Sequence, residues 1–412
     1  MDWNGANSQI RQRRAQSRSD DMVSLHHYVD REQSYVKHVF LESYLEALVH
    51  KTASIYPHIV YVDGFAGPWQ SANEKFEDTS FGIALNSLRQ AKGSWKEKQR
   101  DVRMSAFLVE RDPAACQQLA RIPSLYPEVT IKTYNDDFLS VFSTILKDIP
   151  ADAFAFFLID PKGWRIPLRA LETLLARPHS EVIFNFMFDF INRAASMKDA
   201  VTMTGLDELI PFGGWRTKLE ERERSGGVTP GERKVILVEA FACSLKRLGK
   251  YDYVAETTVL RPVKDRPLYC LFYATRHPKG IEVFRDCQIN ALREESKTRA
   301  TTKVKHATST SGQGEFFESL HDMAPDKLES FLRDQCIEAE RALLELAPKS
   351  PHFINYENLR AQVLARHAVR VPDVNKIAAR LYREKRVLFP DWQHGKRVPQ
   401  RRYRTQSGNA AG

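Results

Sequence analysis

Cysteine is scarce and scattered in this chain: five in 412 residues, at Cys116, Cys243, Cys270, Cys287 and Cys336. None forms a CxxC pair, and no histidine cluster of zinc spacing stands beside them. That pattern excludes a disulfide framework, gives no metal site, and suits a reducing compartment. Long apolar runs are missing too, so nothing approaches membrane-spanning length. Arg11, Arg13 and Arg14 are followed by no apolar stretch of the kind a secretory signal carries. The expectation is a cytoplasmic protein with no membrane partner. A GxGxxG dinucleotide fingerprint is likewise absent.

What the chain does have is apolar material and a basic excess. A hydrophobic fraction of 42% is ample for a core, and the length predicts one large domain with a smaller one. The net charge of +9 points to an anionic partner, nucleic acid first, with a solvated basic surface as the alternative.

The organising stretch is 59–68, where Ile59, Val60, Tyr61 and Val62 run into Asp63, Gly64, Phe65, Ala66, Gly67 and Pro68. A β-branched and aromatic run bounded by Gly and Pro reads as a buried strand breaking into a turn. Asp63 ends the strand, and in an open parallel sheet ligands bind beyond those ends, where glycines admit a close backbone approach.

Residues 1–24 are polar, basic and poor in periodicity, and read as a flexible N-terminus. From His26 to His50, Val36, Val39, Phe40, Tyr44, Leu45 and Leu48 recur at helical spacing. Lys37 and His38, near the start of that helix, either face the ligand crevice or form a solvated face. Thr79 or Ser80 can cap a helix running to about Arg89. Residues 104–110 are a second strand ending in Glu110, a position from which a carboxylate can accept hydrogen bonds from both ribose hydroxyls. The alternative for Glu110 is a charge at the next helix N-terminus.

Residues 129–134 form a third strand, followed by Asn135, Asp136 and Asp137. Residues 153–160 form the most apolar strand and end in Asp160, then Pro161, Lys162, Gly163 and Trp164. Residues 182–186 make a fifth. Helical stretches at 166–176 and 230–248 between strands imply βαβ units and a parallel sheet. Residues 252–260 and 267–275, with a short connection, read as an antiparallel hairpin closing it. Asn185 and Arg193, after the fifth strand, border the same crevice. Arg193 either contacts an anionic substrate or caps local carbonyls.

The Ser, Thr, Lys and Gly content of 296–316 reads as a linker between a large domain over 25–295 and a smaller one over 317–405, with 406–412 as a tail. Helices near 324–346, 356–367 and 373–385, then a basic ribbon through Lys396, Arg397, Arg401, Arg402 and Arg404, suggest a winged-helix-like unit able to bind nucleic acid. A protein-docking domain is the alternative.

Five parallel strands, a closing hairpin and acids at Asp63, Glu110, Asp137 and Asp160 resemble the Rossmann-like methyltransferases that use S-adenosylmethionine. The expected fold class is accordingly α/β, a mostly parallel methyltransferase sheet with a winged-helix-like C-terminal domain. The resemblance implies that Asp63, Gly64, Gly67, Glu110 and Asp137 hold the cofactor. It also implies that Asp160 orients a methyl acceptor while Trp164 stacks on it, since Asp160 to Trp164 occupy the place of the Asp-Pro-Pro-aromatic motif of amino-methyltransferases. Lys162 stands where that motif has its second proline, and the aromatic comes one place later.

Lys37-His38 with Tyr44-Leu45, 61–68, 157–164 and 185–193 together resemble, in their order, the three-Cys-motif partner family, TcmP. That resemblance implies a bacterial protein linked with phage or mobile gene pairs, acting beside a partner with a three-cysteine motif. The family often has Phe at the place of Lys162, which implies that this position is adjusted to a different substrate. A non-catalytic nucleic-acid or protein adaptor on the same scaffold is the competing expectation.

Overall fold

The structure is a computed structural model describing Tyr28 and residues 32–67, 71, 76–197, 199–260, 267–311 and 315–408. The N-terminal segment 1–24, Pro68 and the hairpin connection 261–266 lie outside the described residues. Helix α1 (Glu32–Ala53) leads into β1 (His58–Asp63), followed by α2 (Ser80–Glu97), β2 (Arg103–Val109), α3 (Pro113–Leu119), α4 (Ile122–Leu125) and β3 (Thr130–Tyr134). Next come α5 (Phe138–Asp148), β4 (Phe154–Ile159), α6 (Glu172–Leu175) and β5 (Ser180–Phe186). Helices α7 (Phe188–Ala194), α8 (Ala200–Leu209), α9 (Trp215–Arg224) and α10 (Pro230–Gly249) precede the hairpin of β6 (Tyr253–Leu260) and β7 (Pro267–Thr275).

These strands form one sheet in the order β3-β2-β1-β4-β5-β7-β6. Strands β1 to β5 are parallel, and β7 runs antiparallel to both its neighbours. This is the mostly parallel sheet, closed by an antiparallel hairpin, that the strand pattern predicts. Burial on both faces is why β1 and β4 read as unbroken apolar runs rather than alternating ones. On one face, Phe40, Tyr44, Tyr61, Phe156, Ile183 and Leu271 pack in a core under α1 and α2. On the other, Val60, Val62, Phe157, Phe184 and Phe241 pack under α5 and α10.

Local chemistry sets the helix starts. Thr79 accepts the Gly82 N–H at 3.0 Å and caps α2, and Asp137 accepts the Leu139 N–H at 2.9 Å and caps α5. Thr229 and Glu232 close a capping box on α10. The helix expected over 166–176 is shorter: a 3-10 turn over Leu168–Leu171 and then α6, bounded by Pro167 and Pro178.

Beyond the sheet, α11 (Pro278–Ser311) and α12 (Glu315–Leu346) are followed by β8 (Ile354–Asn355), α13 (Tyr356–Arg366), α14 (Val371–Arg383), β9 (Val387–Leu388) and β10 (Arg404–Ser407). Residues 296–311, expected within a linker, continue α11 as helix. No Gly or Pro falls between Gly280 and Gly312, and Ser, Thr and Lys alone do not break a helix. Strand β10 likewise runs two residues past the expected boundary at 405, pairing Gln406 and Ser407 with β9.

The C-terminal unit is fastened to the sheet by buried polar contacts. The Arg285 guanidinium donates to the Leu364 and Ala365 carbonyls at 2.5 and 2.9 Å, closing the end of α13, and to the Glu256 carbonyl at 3.2 Å. Beside it Glu282 and Arg360 form a buried ion pair, joined by Arg401 at 3.4 Å from the other Glu282 oxygen.

Candidate functional site

Strands β1 and β4 are neighbours, yet the chain leaves them toward opposite edges of the sheet, β2 and β3 on one side and β5 on the other. That is a topological switch point, and the crevice lies beyond the carboxyl ends of the two strands. Asp63 pairs in register with Leu158, so Asp160 stands two residues beyond it on the same rim.

Asp63 is fully buried, and both its oxygens are engaged inside the protein. Tyr61 Oη and Ser80 Oγ donate to Oδ2 at 2.9 and 2.8 Å, and the Phe65 N–H donates to Oδ1 at 3.0 Å. Burial pushes its pKa up to about 6 against those three hydrogen bonds, and the charge of Asp160 pushes the same way. In this arrangement Asp63 fastens the turn after β1. The turn is also tied to both neighbouring strands, by Gly64 N–H to the Leu158 carbonyl at 3.0 Å and Ala66 N–H to the Val109 carbonyl at 2.8 Å. A Cβ on Gly64 would meet the Phe138 ring at 3.0 Å, which explains the glycine; Gly67 is buried in the same turn.

Glu110, 6% exposed, follows β2. Its Oε1 accepts the Asp112 N–H at 2.7 Å, and its Oε2 has no hydrogen-bond partner among the described residues. Asp137 spends Oδ1 on capping α5 and keeps Oδ2 without a partner among the described residues. A nucleoside brings hydroxyl and amino donors, and two carboxylates with free acceptor oxygens beside a glycine turn fit such a group.

Asp160 is the most connected of the four acids. Lys37 Nζ, from α1, lies 2.6 Å from Oδ2, and Asn185 Nδ2, from β5, donates to Oδ1 at 2.5 Å. Asn185 is buried, and its Oδ1 has no partner among the described residues. Of the two openings for Lys37 left by the sequence, the structure takes the one facing the crevice; His38 is buried, with Nδ1 2.8 Å from Tyr28 Oη.

The remaining expected residues lie further out. Lys162 is exposed, with its pKa lowered by partial burial and raised by the charge of Glu110. Trp164 packs with the core on the opposite face of the sheet from Lys37, its ring tip against Gly205 of α8 and the Arg165 guanidinium over its face at 5.4 Å. Arg193 turns back on its own helix, with Nε donating to the Asp189 carbonyl at 3.2 Å and the guanidinium over Phe190. The structure thus gathers Asp63, Asp160 and Asn185, sets Glu110 and Asp137 along the same edge, and leaves Trp164 and Arg193 engaged elsewhere. Sequence reading missed Tyr61 and Ser80. Tyr61 had a visible signal, since residues i and i+2 of a strand share a face. Ser80, across a turn, had none.

Among the described residues no group of His, Cys, Asp or Glu is arranged to hold a metal, and no helix is long and apolar enough to cross a membrane. No family model and no curated protein sequence matches this chain. Among solved structures it is similar to protein LPL1258 from Legionella pneumophila str. Philadelphia 1, of the DUF519 family, at 14% identity over 60% of this chain and 88% of that one, with a TM-score of 0.35. It is similar also to Trm1 from Pyrococcus horikoshii, solved with S-adenosyl-L-methionine, at 11% identity over 90% of each chain and a TM-score of 0.31. Loganic acid methyltransferase, solved with SAH, matches at 10% identity over 76% of this chain and 91% of that one, with a TM-score of 0.28. The fold class rests on strand order. That order, five parallel strands closed by an antiparallel hairpin, is mixed α/β.

Proposed function

We propose that this chain is an S-adenosylmethionine-dependent methyltransferase whose transfer takes place at Asp160. The observation that carries it is the row of carboxylates along one rim of the switch point: Asp160 over β4, Asp63 over β1 and Glu110 over β2. When bound, S-adenosylmethionine supplies an electrophilic methyl on a sulfonium. The free Oε2 of Glu110 would take ribose hydroxyls, Asp137 the adenine amine, and the 64–67 turn would pass under the methionine portion. Asp160, held in orientation by Asn185, would accept a hydrogen bond from the acceptor. Isothermal titration with S-adenosylmethionine checks the cofactor half. Glu110→Ala is expected to weaken binding by roughly 10- to 100-fold, the worth of hydrogen bonds to a charged group. No heat with wild type would reject the reading.

For the acceptor we favour nucleic acid. The C-terminal unit has the order helix, strand, helix, helix, strand, strand, with its small sheet running β8-β10-β9, as a winged-helix-like unit would. Of the basic ribbon, Arg404 is held by Asp391 and Arg401 by Glu282 and Glu357. Lys396, Arg397 and Arg402 remain exposed without an ion pair among the described residues, as do Lys376 and Arg383 on α14. Affinity for a single-stranded oligonucleotide should fall linearly with salt on logarithmic axes. The Lys396→Ala/Arg397→Ala double variant should flatten that slope by about one unit for each phosphate it no longer neutralises. An unchanged slope would remove the wing from the interface.

The likeness to the TcmP family supports placing the chain beside a three-cysteine-motif partner. A non-catalytic adaptor remains the second reading, favoured by the internal engagement of Asp63 and by Lys37 on Asp160. Transfer of labelled methyl to total RNA, DNA or protein separates the two, since an adaptor transfers none.

A further inference from the structure

Asp160 is oriented by Asn185 on one oxygen, which leaves Oδ2 as the oxygen available to an incoming donor. The protein's own amine already holds that position, Lys37 Nζ at 2.6 Å. The Asn185 amide must turn its NH2 to the carboxylate, because a carboxylate only accepts, and this forces Oδ1 the other way. That Oδ1 is a buried acceptor without a donor among the described residues. Such an atom carries a cost that a ligand N–H would relieve.

Asn185 pairs in register with Leu271. Leu271 lines a small cavity with Lys37, Phe40, Leu41, Ile183 and Asp160. A second small cavity flanks Lys37 on the side of Val36, Val259 and Ala291. The Lys37 stem therefore borders two voids, each about large enough for one water.

We propose that Lys37 is a specificity-determining placeholder at the transfer position: its ammonium occupies the place on Asp160 that an acceptor amino group takes, and it withdraws when that group arrives. The proposal rests on the reading of Asp160 as the acceptor-orienting carboxylate. It adds the acceptor's class, a neutral amino group that donates an N–H to Asp160 Oδ2. In transfer to such a group, the nitrogen lone pair forms the N–C bond while the S–C bond breaks. The proton lost from nitrogen passes to Asp160 and on to solvent, so charge balances. An acceptor lacking a hydrogen-bond donor cannot replace what Lys37 gives Asp160, so the lysine rejects it.

The test uses two cofactor analogues on the full chain, S-adenosylhomocysteine, which has no charge at the reacting position, and sinefungin, which carries an amine there. Removing the Lys37 cation frees Asp160 for the sinefungin amine and relieves like-charge repulsion. In Lys37→Met, affinity for sinefungin relative to S-adenosylhomocysteine is expected to rise about tenfold, while Lys37→Arg, which keeps the cation, holds the wild-type ratio. Lys37→Gln serves if Lys37→Met does not fold. A ratio unchanged in the uncharged variant, with S-adenosylhomocysteine still bound, overturns the placeholder and leaves the cofactor reading standing. Failure of wild type to bind S-adenosylhomocysteine overturns both.

Discussion

Glu282→Ala is expected to destabilise the protein by about 3–5 kcal/mol, the cost of breaking a buried ion pair and leaving a charge without its partner. Glu282 and Arg360 are 4% and 3% exposed at their side chains, so solvent does little to screen the pair. Burial pushes the Glu282 pKa up, but Lys279, Arg360 and Arg401 outweigh it and hold the group below its ordinary value. Alanine would strand Arg360 and take a partner from Arg401 and from Lys279, whose Nζ lies 2.6 Å from Glu282. Thermal unfolding with limited proteolysis checks this: the midpoint should fall and cleavage should begin within 356–403. A loss below about 1 kcal/mol, in the range of an exposed pair, would mean that the pair is not buried in solution.

The second large effect concerns pH. Asp63 has a folded-state pKa of about 6 against an ordinary value of 3.8, with burial the main cause. Folding therefore favours its protonated form. The stability this contributes is fully present below about pH 3.8 and is lost as pH rises through about 6. The difference amounts to roughly 3 kcal/mol. Glu181, also buried and also raised, acts in the same direction, so the variant Asp63→Asn is needed to isolate the Asp63 share. Urea unfolding from pH 4 to 7 should show wild type losing about 2.4 kcal/mol relative to Asp63→Asn. A gap that stays constant across that range would mean that the three donors to Asp63 outweigh its burial.

The sheet was legible because its strands are short, apolar and punctuated. Residues 59–63 and 153–160 announce themselves by β-branched and aromatic runs ending in an acid, and the hairpin by two such runs close together. The segment between β5 and α10 was not legible as helix: α7, α8 and α9 are each ten residues or fewer, too short for periodicity to stand out. Residues 296–311 were not legible as helix, because their Ser, Thr and Lys content reads as a linker although no Gly or Pro interrupts it. At the site, acids at strand ends could be read singly, but their partners could not. Lys37 meets Asp160 across 123 positions of sequence and Tyr44 meets Glu181 across 137, and nothing local marks either meeting. Trp164 shows the converse: its place in a motif points to the crevice, while its ring packs against Gly205 on another helix.

The fastening of the C-terminal unit has a consequence for how a polymeric substrate would be handled. Helix α11 packs against α1, which bears Lys37, and through Arg285 it closes the end of α13. A strand gripped at Lys396 and Arg397 would then be anchored a set span from Asp160. Under that geometry the modified position would be set by its distance from the anchor, as with a measuring jig.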